Sequence, residues 1–189
     1  KYKYGGLLTT LSYFYIDQKN VIDIDVGGGK YRRAADGRDK FKGVEWTVNG
    51  KLAPKWTVTG GLMYIDAKRD KTQGGKNDGR FVNGVADWSG VLGLVYEPND
   101  SLGIIGRVVW NDAAYIDNSN APSGKTKIPS YTTFDLGVNY KTHLGQIPVS
   151  LSAMCYNVAN KDYWMGRGSS TTFGLSMPRT FMLSARFEF

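Results

Sequence analysis

The chain ends on Pro178-Arg179-Thr180-Phe181-Met182-Leu183-Ser184-Ala185-Arg186-Phe187-Glu188-Phe189. Phe181, Leu183, Ala185, Phe187 and Phe189 share one side of an extended backbone; Met182, Ser184, Arg186 and Glu188 share the other. Period-two alternation of this kind describes a strand with one apolar and one mostly polar face. Two environments produce it. A soluble sheet turns the apolar face onto a core, whereas a membrane barrel turns it to lipid and lines a wet lumen with the polar face. The decision rests on how the rest of the chain repeats and connects the pattern.

Working outward, the same alternation recurs at 7–17, 41–52, 56–66, 85–96, 101–111, 130–141 and 147–157, so about eight strands are expected. The stretch 130–141 is the clearest, with Thr132, Phe134, Leu136, Val138 and Tyr140 opposite Tyr131, Thr133, Asp135, Asn139 and Lys141. Connections alternate in length. Short turns at 53–54, 97–100 and 143–146 contrast with long polar stretches at 18–40, 67–84, 112–129 and 158–177. Long structureless loops are uncommon in compact soluble domains, but short turns at one end and long loops at the other are the habit of outer-membrane barrels. Each strand is long enough to cross a bilayer when tilted. Aromatics collect toward the ends of the apolar faces (Tyr13, Tyr15, Trp56, Tyr64, Trp88, Tyr96, Trp110, Tyr140, Phe187 and Phe189), as interfacial girdles do.

Charge placement agrees. Glu45, Lys51, Arg107, Asp135 and Arg186 all fall in the polar phase. A lysine or arginine turned to lipid at mid-bilayer would cost roughly 2–4 kcal/mol, which fixes which face is which. Small residues crowd the polar face, at Thr57, Thr59, Gly61, Ser89, Gly93, Gly103, Ser150 and Ser152, which suits a wide lumen better than a packed interior.

Composition bounds the remainder. The 189 residues carry a formal charge of +7, with lysine and arginine interleaved with aspartate throughout, as on solvated loops, and no nucleic-acid partner is expected. Cys155 stands alone, which excludes an internal disulfide and a cysteine-based metal cluster. No apolar run reaches the ~18 residues of a membrane helix, and Lys1-Tyr2-Lys3-Tyr4 leads almost directly into strand-like sequence, so no signal peptide is expected within these residues. Sharper motifs fail on inspection. Gly27-Gly28-Gly29-Lys30 hints at a phosphate loop, but Ile24 stands where the leading glycine belongs and Tyr31 follows the lysine. Asp23 and Asp25 match only part of a calcium loop. His143, the sole histidine, is expected in a short turn with no nucleophile motif beside it.

Several stretches taken together resemble the C-terminal part of a TonB-dependent outer-membrane siderophore receptor. They are Phe41-Lys42-Gly43-Val44-Glu45-Trp46, Trp56 with Thr59-Gly60-Gly61, and Tyr64-Ile65-Asp66-Ala67. Ile128-Pro129-Ser130-Tyr131, Phe134-Asp135-Leu136, Asn157, Asn160-Lys161, Tyr163-Trp164, Pro178-Arg179-Thr180 and the terminal Phe189 continue the resemblance. It implies an all-β fold in which residues 1–189 supply roughly the last eight strands of an antiparallel transmembrane barrel of about 22, the plug domain being absent. The implied protein is not an enzyme. It imports a ferric siderophore across the outer membrane of a Gram-negative bacterium, energised by TonB acting through the missing plug, with no cofactor and no resident metal. Implied ligand contacts are the loop aromatics and cations Tyr31, Arg32, Arg33, Tyr115, Tyr163, Trp164 and Arg167. Phe187 and Phe189 are implied as the signal read by the barrel-assembly machinery, and outer-membrane lipid and lipopolysaccharide as the surroundings. Asn157 and Asn160 also suit loop anchoring through side-chain hydrogen bonds. Two alternatives stay open on residues alone: an autonomous eight-stranded outer-membrane barrel with a structural or adhesive role, and an outer-membrane enzyme.

Overall fold

The computed structural model describes residues 1–117, 126–166 and 173–189. Its strands are β1 (Tyr2–Tyr4), β2 (Leu7–Gly27), β3 (Lys30–Ala53), β4 (Trp56–Lys71), β5 (Trp88–Tyr96), β6 (Leu102–Asn111), β7 (Ala114–Asp117), β8 (Thr126–Ile128), β9 (Tyr131–Leu144), β10 (Ile147–Tyr156), β11 (Trp164–Gly166), β12 (Phe173–Leu175) and β13 (Thr180–Phe187). Among the described residues nine of these form one antiparallel sheet, ordered β1-β2-β3-β4-β5-β6-β9-β10-β13. Two ribbons, β7–β8 and β11–β12, stand in the long connections. The eight anticipated strands are all present, joined by the three-residue β1.

The registers fix the two faces. Trp110 lies opposite Thr132, Val108 opposite Phe134, and Ile104 opposite Val138; Val138 in turn faces Ala153, which faces Leu183. The apolar rows therefore run unbroken across the sheet, and the polar rows between them carry Glu45, Arg107, Asp135 and Arg186. Among the described residues nothing packs on the apolar face: Leu183 is 81% exposed and Leu11 68%. A contiguous apolar surface of this size belongs against lipid. One polar pair on this face is satisfied internally. The Trp46 indole N–H donates to Thr9 Oγ1 at 2.8 Å, and Thr9 Oγ1 donates to the Thr47 carbonyl at 3.0 Å, as an apolar solvent demands.

Aromatics mark both margins of this face. At the turn end Trp56 stacks on Tyr96 with centroids 4.6 Å apart; at the loop end Tyr64 meets Trp88 at 4.9 Å. Trp56 and Tyr64 are both on β4, and the eight steps from one to the other cover about 26 Å along the strand at ~3.3 Å each; at the ~40° tilt of barrel strands that is a height of about 20 Å, within the ~25 Å apolar band of an outer-membrane barrel.

The stretch 18–40, expected as a long loop, is a hairpin instead. β2 and β3 stay paired from Leu7–Gly50 out to Gly27–Lys30. Gly28 and Gly29 turn at φ 60° and 72°, the conformation a two-residue turn of this hand requires at both positions. That is the use of the glycine run that hinted at a phosphate loop. Sequence reading missed the strands because the bilayer imposes no apolar face on them here. Ladder hydrogen bonds and cross-strand charge pairs suffice in water. β4 likewise runs on to Lys71, while β5 begins only at Trp88. His143, expected in a turn, lies within β9 opposite Pro148, and the turn shrinks to Gly145 and Gln146.

Candidate ligand-facing surface at the loop end

The polar face near the loop end is organised around Asp135, 5% exposed. The strand register sets it opposite Arg107, whose Nε and Nη2 both reach Asp135 Oδ2 at 2.7 Å. Asp135 Oδ1 accepts the Asn157 backbone N–H at 2.8 Å. The chain leaving β10 is thus tied back to β9 at its first step. Asn157 sits at φ 50°, a left-handed turn that asparagine tolerates. Its amide donates to the carbonyls of Lys161 (2.9 Å) and Met177 (3.1 Å), and its Oδ1 accepts from Lys161 N–H at 2.8 Å. Asn160, also at φ 50°, accepts the Arg179 N–H at 2.8 Å. Ser176 completes the clamp: its Oγ accepts the Tyr163 N–H at 3.1 Å, and its own N–H donates to the Tyr163 carbonyl at 2.9 Å. Both ends of the 157–179 connection are therefore held on one buried asparagine.

This clamp presses Tyr163 flat onto Tyr131, with ring centroids 3.8 Å apart and planes 14° from parallel. The Tyr131 hydroxyl accepts from Asn111 Nδ2 at 2.8 Å, and the Arg107 guanidinium lies 5.7 Å from the Tyr156 ring. The neighbouring β7–β8 ribbon builds a second aromatic–cation unit. Tyr115 stacks on Phe81 at 5.1 Å while Lys127 Nζ sits 4.2 Å over the Tyr115 ring. Ala114, Ile116 and Ile128 with Ala86 form the small apolar core beneath it. β11, carrying Trp164, lies against β8, so the two ribbons form one surface. Flat aromatic faces beside cations suit an anionic chelate with an organic shell.

The anticipated contacts divide into two groups. Tyr115, Tyr163 and Trp164 come together at the ribbons. Tyr31, Arg32 and Arg33 stand apart on the β2–β3 arm. Arg33 there pairs with Asp23 through Nε at 3.0 Å, and Tyr31 lines a polar cleft of about 530 Å³ with Asp36, Lys71 and Asp78. The Arg33 hydrogen bond holds the Asp23 carboxyl below its ordinary value, and Lys71 does the same for Asp36. Asp25 caps the turn by accepting the Gly27 N–H at 2.8 Å, so both aspartates of the partial calcium motif have structural partners. Arg167 lies outside the described residues. Sequence reasoning did not nominate Arg107, Asn111, Tyr131, Phe81 or Lys127. Phase placed Asn111, Tyr131 and Arg107 on the polar face, but only the register brings them together.

A family model described as TonB dependent receptor-like, beta-barrel, matches residues 1–158. The chain belongs to the TonB-dependent receptor β-barrel family. Among curated relatives, the ferrichrome receptor FcuA of Yersinia enterocolitica is 27% identical over 99% of this chain and 24% of its own length. The metal-pseudopaline receptor CntO of Pseudomonas aeruginosa is 29% identical over 72% of this chain and 19% of its own. Among solved structures, the ferric preacinetobactin receptor BauA of Acinetobacter baumannii superposes with a TM-score of 0.83 at 28% identity, over 99% of this chain and 28% of that one. The chain thus spans about a quarter of the length of these relatives.

Proposed function

We propose that residues 1–189 form the C-terminal wall and outer loops of a receptor that imports a ferric siderophore across the outer membrane of a Gram-negative bacterium, driven by TonB through a plug seated in the lumen. The carrying observation is the joined surface of the two loop ribbons, where Tyr115, Lys127 and Trp164 stand above a polar barrel wall whose opposite face is apolar and bare. The receptors for ferrichrome, for metal-pseudopaline and for ferric preacinetobactin among its relatives support this reading. On it the protein works as a transport receptor rather than a catalyst. Tyr31, Arg32, Arg33, Tyr115, Tyr163, Trp164 and Arg167 remain the candidate ligand contacts, with Lys127 added. Phe187 and Phe189, on the C-terminal strand, are proposed as the signal to the barrel-assembly machinery. The described sheet does not join β1 to β13, whereas an autonomous eight-stranded barrel must close on itself.

The test is iron-limited growth of a strain deleted for the receptor, across a panel of ferric siderophores. Loss of growth on one of them, restored by the wild-type gene and weakened by Tyr115→Ala with Lys127→Ala, is the expected result. Undiminished growth on every siderophore would overturn it.

A further inference from the structure

The β2–β3 arm and the connection that follows β4 enclose a second polar site. Beyond Lys71 the chain makes one tight helical turn, Gln73–Gly75, that folds against β2. Asp78 closes this turn, its Oδ1 accepting the Thr72 N–H at 2.7 Å and the Thr72 hydroxyl at 2.8 Å. Lys71 Nζ reaches across to Asp36 Oδ1 on the arm at 2.8 Å. Between arm and turn lies the cleft of about 530 Å³ that Tyr31 lines, a volume ordinary for small-molecule sites, which run from ~300 to ~1,000 Å³. None of its lining belongs to β7, β8, β11 or β12, so it is separate from the ribbon surface.

The lining combines charge, an aromatic ring and aliphatic surface. Four aspartates face two lysines, a formal charge of −2 on a chain whose total is +7. Two of the carboxylates are engaged by cations, Asp36 by Lys71 and Asp23 by Arg33 from outside the lining. Asp25 and Asp78 differ: each accepts backbone or hydroxyl protons through Oδ1 and forms no ion pair among the described residues. Asp25 belongs to the arm and Asp78 to the connection facing it, so two uncompensated carboxylates stand on opposite walls. Tyr31 is the cross-strand partner of Asp25, which sets ring and carboxylate side by side on one face. Ile22 and Ile24 supply the aliphatic part of the lining. An aromatic face beside a carboxylate favours an ammonium group, and an aliphatic surface accepts a methylene stem. The second carboxylate, across the cleft, favours a second ammonium on the same molecule.

We infer that this cleft binds a linear aliphatic diamine or polyamine, its ammonium groups on Asp25 and Asp78, one of them against Tyr31, and its methylene chain along Ile22 and Ile24. A bare metal ion is the wrong occupant, because among the described residues no three carboxylate, imidazole or thiol groups converge closely enough to hold one. The ligand bridges arm and turn, so binding stiffens a projection otherwise supported by its strand ladder and exposed charge pairs. The site goes beyond the import reading: it needs no ferric ligand, and it gives Tyr31 a partner other than the chelate. Siderophore-dependent growth tests the ribbons and amine binding tests the cleft, so either can fail alone.

The experiment uses the full-length receptor carrying this segment, purified in mild detergent, with titration calorimetry reading spermidine binding and hydrogen exchange reading the arm. Spermidine should bind, and butylamine, which offers one ammonium, should bind roughly tenfold or more weakly, because the second contact of spermidine is made within one molecule. Asp25→Asn and Asp78→Asn each keep an oxygen acceptor for the turn they close, so the local fold survives. Combined, they should weaken spermidine by roughly five- to tenfold. Tyr31→Leu should weaken it about threefold, and Glu97→Gln, at the far turn end, should leave it unchanged. Saturating spermidine should slow amide exchange along the arm and at Gln73–Asp78 and leave Lys161 as it was. Absence of spermidine binding, equal binding by the double asparagine variant, or equal binding of butylamine overturns the site. Magnesium chloride binding as tightly as spermidine, with the same slowing of exchange, would mean general cation screening and overturns the amine assignment.

Discussion

The loop end carries two projections held in opposite ways. The 157–179 connection is tied to the barrel wall through Asp135, Asn157 and Ser176, all buried. The β2–β3 arm extends about 30 Å beyond the Asp17–Lys40 pair, at ~3.3 Å per residue, with strand ladder and exposed charge pairs such as Arg33–Asp23 as its support. Buried hydrogen bonds cannot be exchanged for water without leaving a donor or acceptor unpaired. Exposed pairs can, and they are screened by salt. The described residues of the first projection therefore present a fixed surface, and the second is an arm that adds reach without adding rigidity.

The sharpest way to break this contrast is Asp135→Ala, which strands the Arg107 charge and the Asn157 N–H together. Asp135 is a charged acceptor for two donors, the part-exposed Arg107 and the Asn157 N–H; losing both bonds costs about 3 kcal/mol, so amide exchange at Lys161 and Arg179 should quicken by roughly a hundredfold while exchange in the arm stays unchanged. Next is Asn157→Ala, which removes three side-chain hydrogen bonds and puts alanine, less tolerant of the left-handed region than asparagine, at φ 50°. A loss of about 2 kcal/mol of local stability is expected, and Asn157→Gly should recover the backbone part of it. Limited proteolysis of the connection separates the two variants. Tyr163→Leu gives up the stack on Tyr131, worth about 1 kcal/mol, and should loosen the ribbon without freeing its ends.

The smallest effect belongs to the arm. Arg33→Gln should raise its exchange rates at neutral pH by no more than about twofold, since exposed pairs are weak. Because the Asp23 and Asp36 carboxyls lie below their ordinary value of 3.8, what they contribute is fully present above that pH. It is lost as pH falls through the depressed values. Acid titration followed by NMR of the arm should show loosening only below about pH 4, and none in Asp23→Asn/Asp36→Asn.

Much of the wall was legible because the bilayer writes on it. Phe134, Leu136 and Val138 had to alternate with Thr133, Asp135 and Asn139, and lipid excludes charge from one side. The arm was not legible, because water accepts either face: Ile22-Asp23-Ile24-Asp25 opposite Arg32 and Arg33 alternates, but with no environment to read it against. The site was legible only in its parts. Asn157 and Asn160 announced an anchor through their tolerance of turns. The partnership of Arg107 with Asp135, and of Tyr131 with Tyr163, depends on the placement of segments about 30 residues apart, which local pattern does not carry.

The central claim is that the even-numbered face of β9 meets lipid and the odd-numbered face meets the lumen. Spin labels at single cysteines test it most directly, placed at 133, 134, 136, 137, 138 and 139 of the receptor in membranes, with Cys155→Ser as background. Labels at 134, 136 and 138 should be accessible to oxygen and shielded from a polar nickel chelate, and those at 133, 137 and 139 should show the reverse. Equal accessibility along the strand, or the opposite phase, would contradict the account.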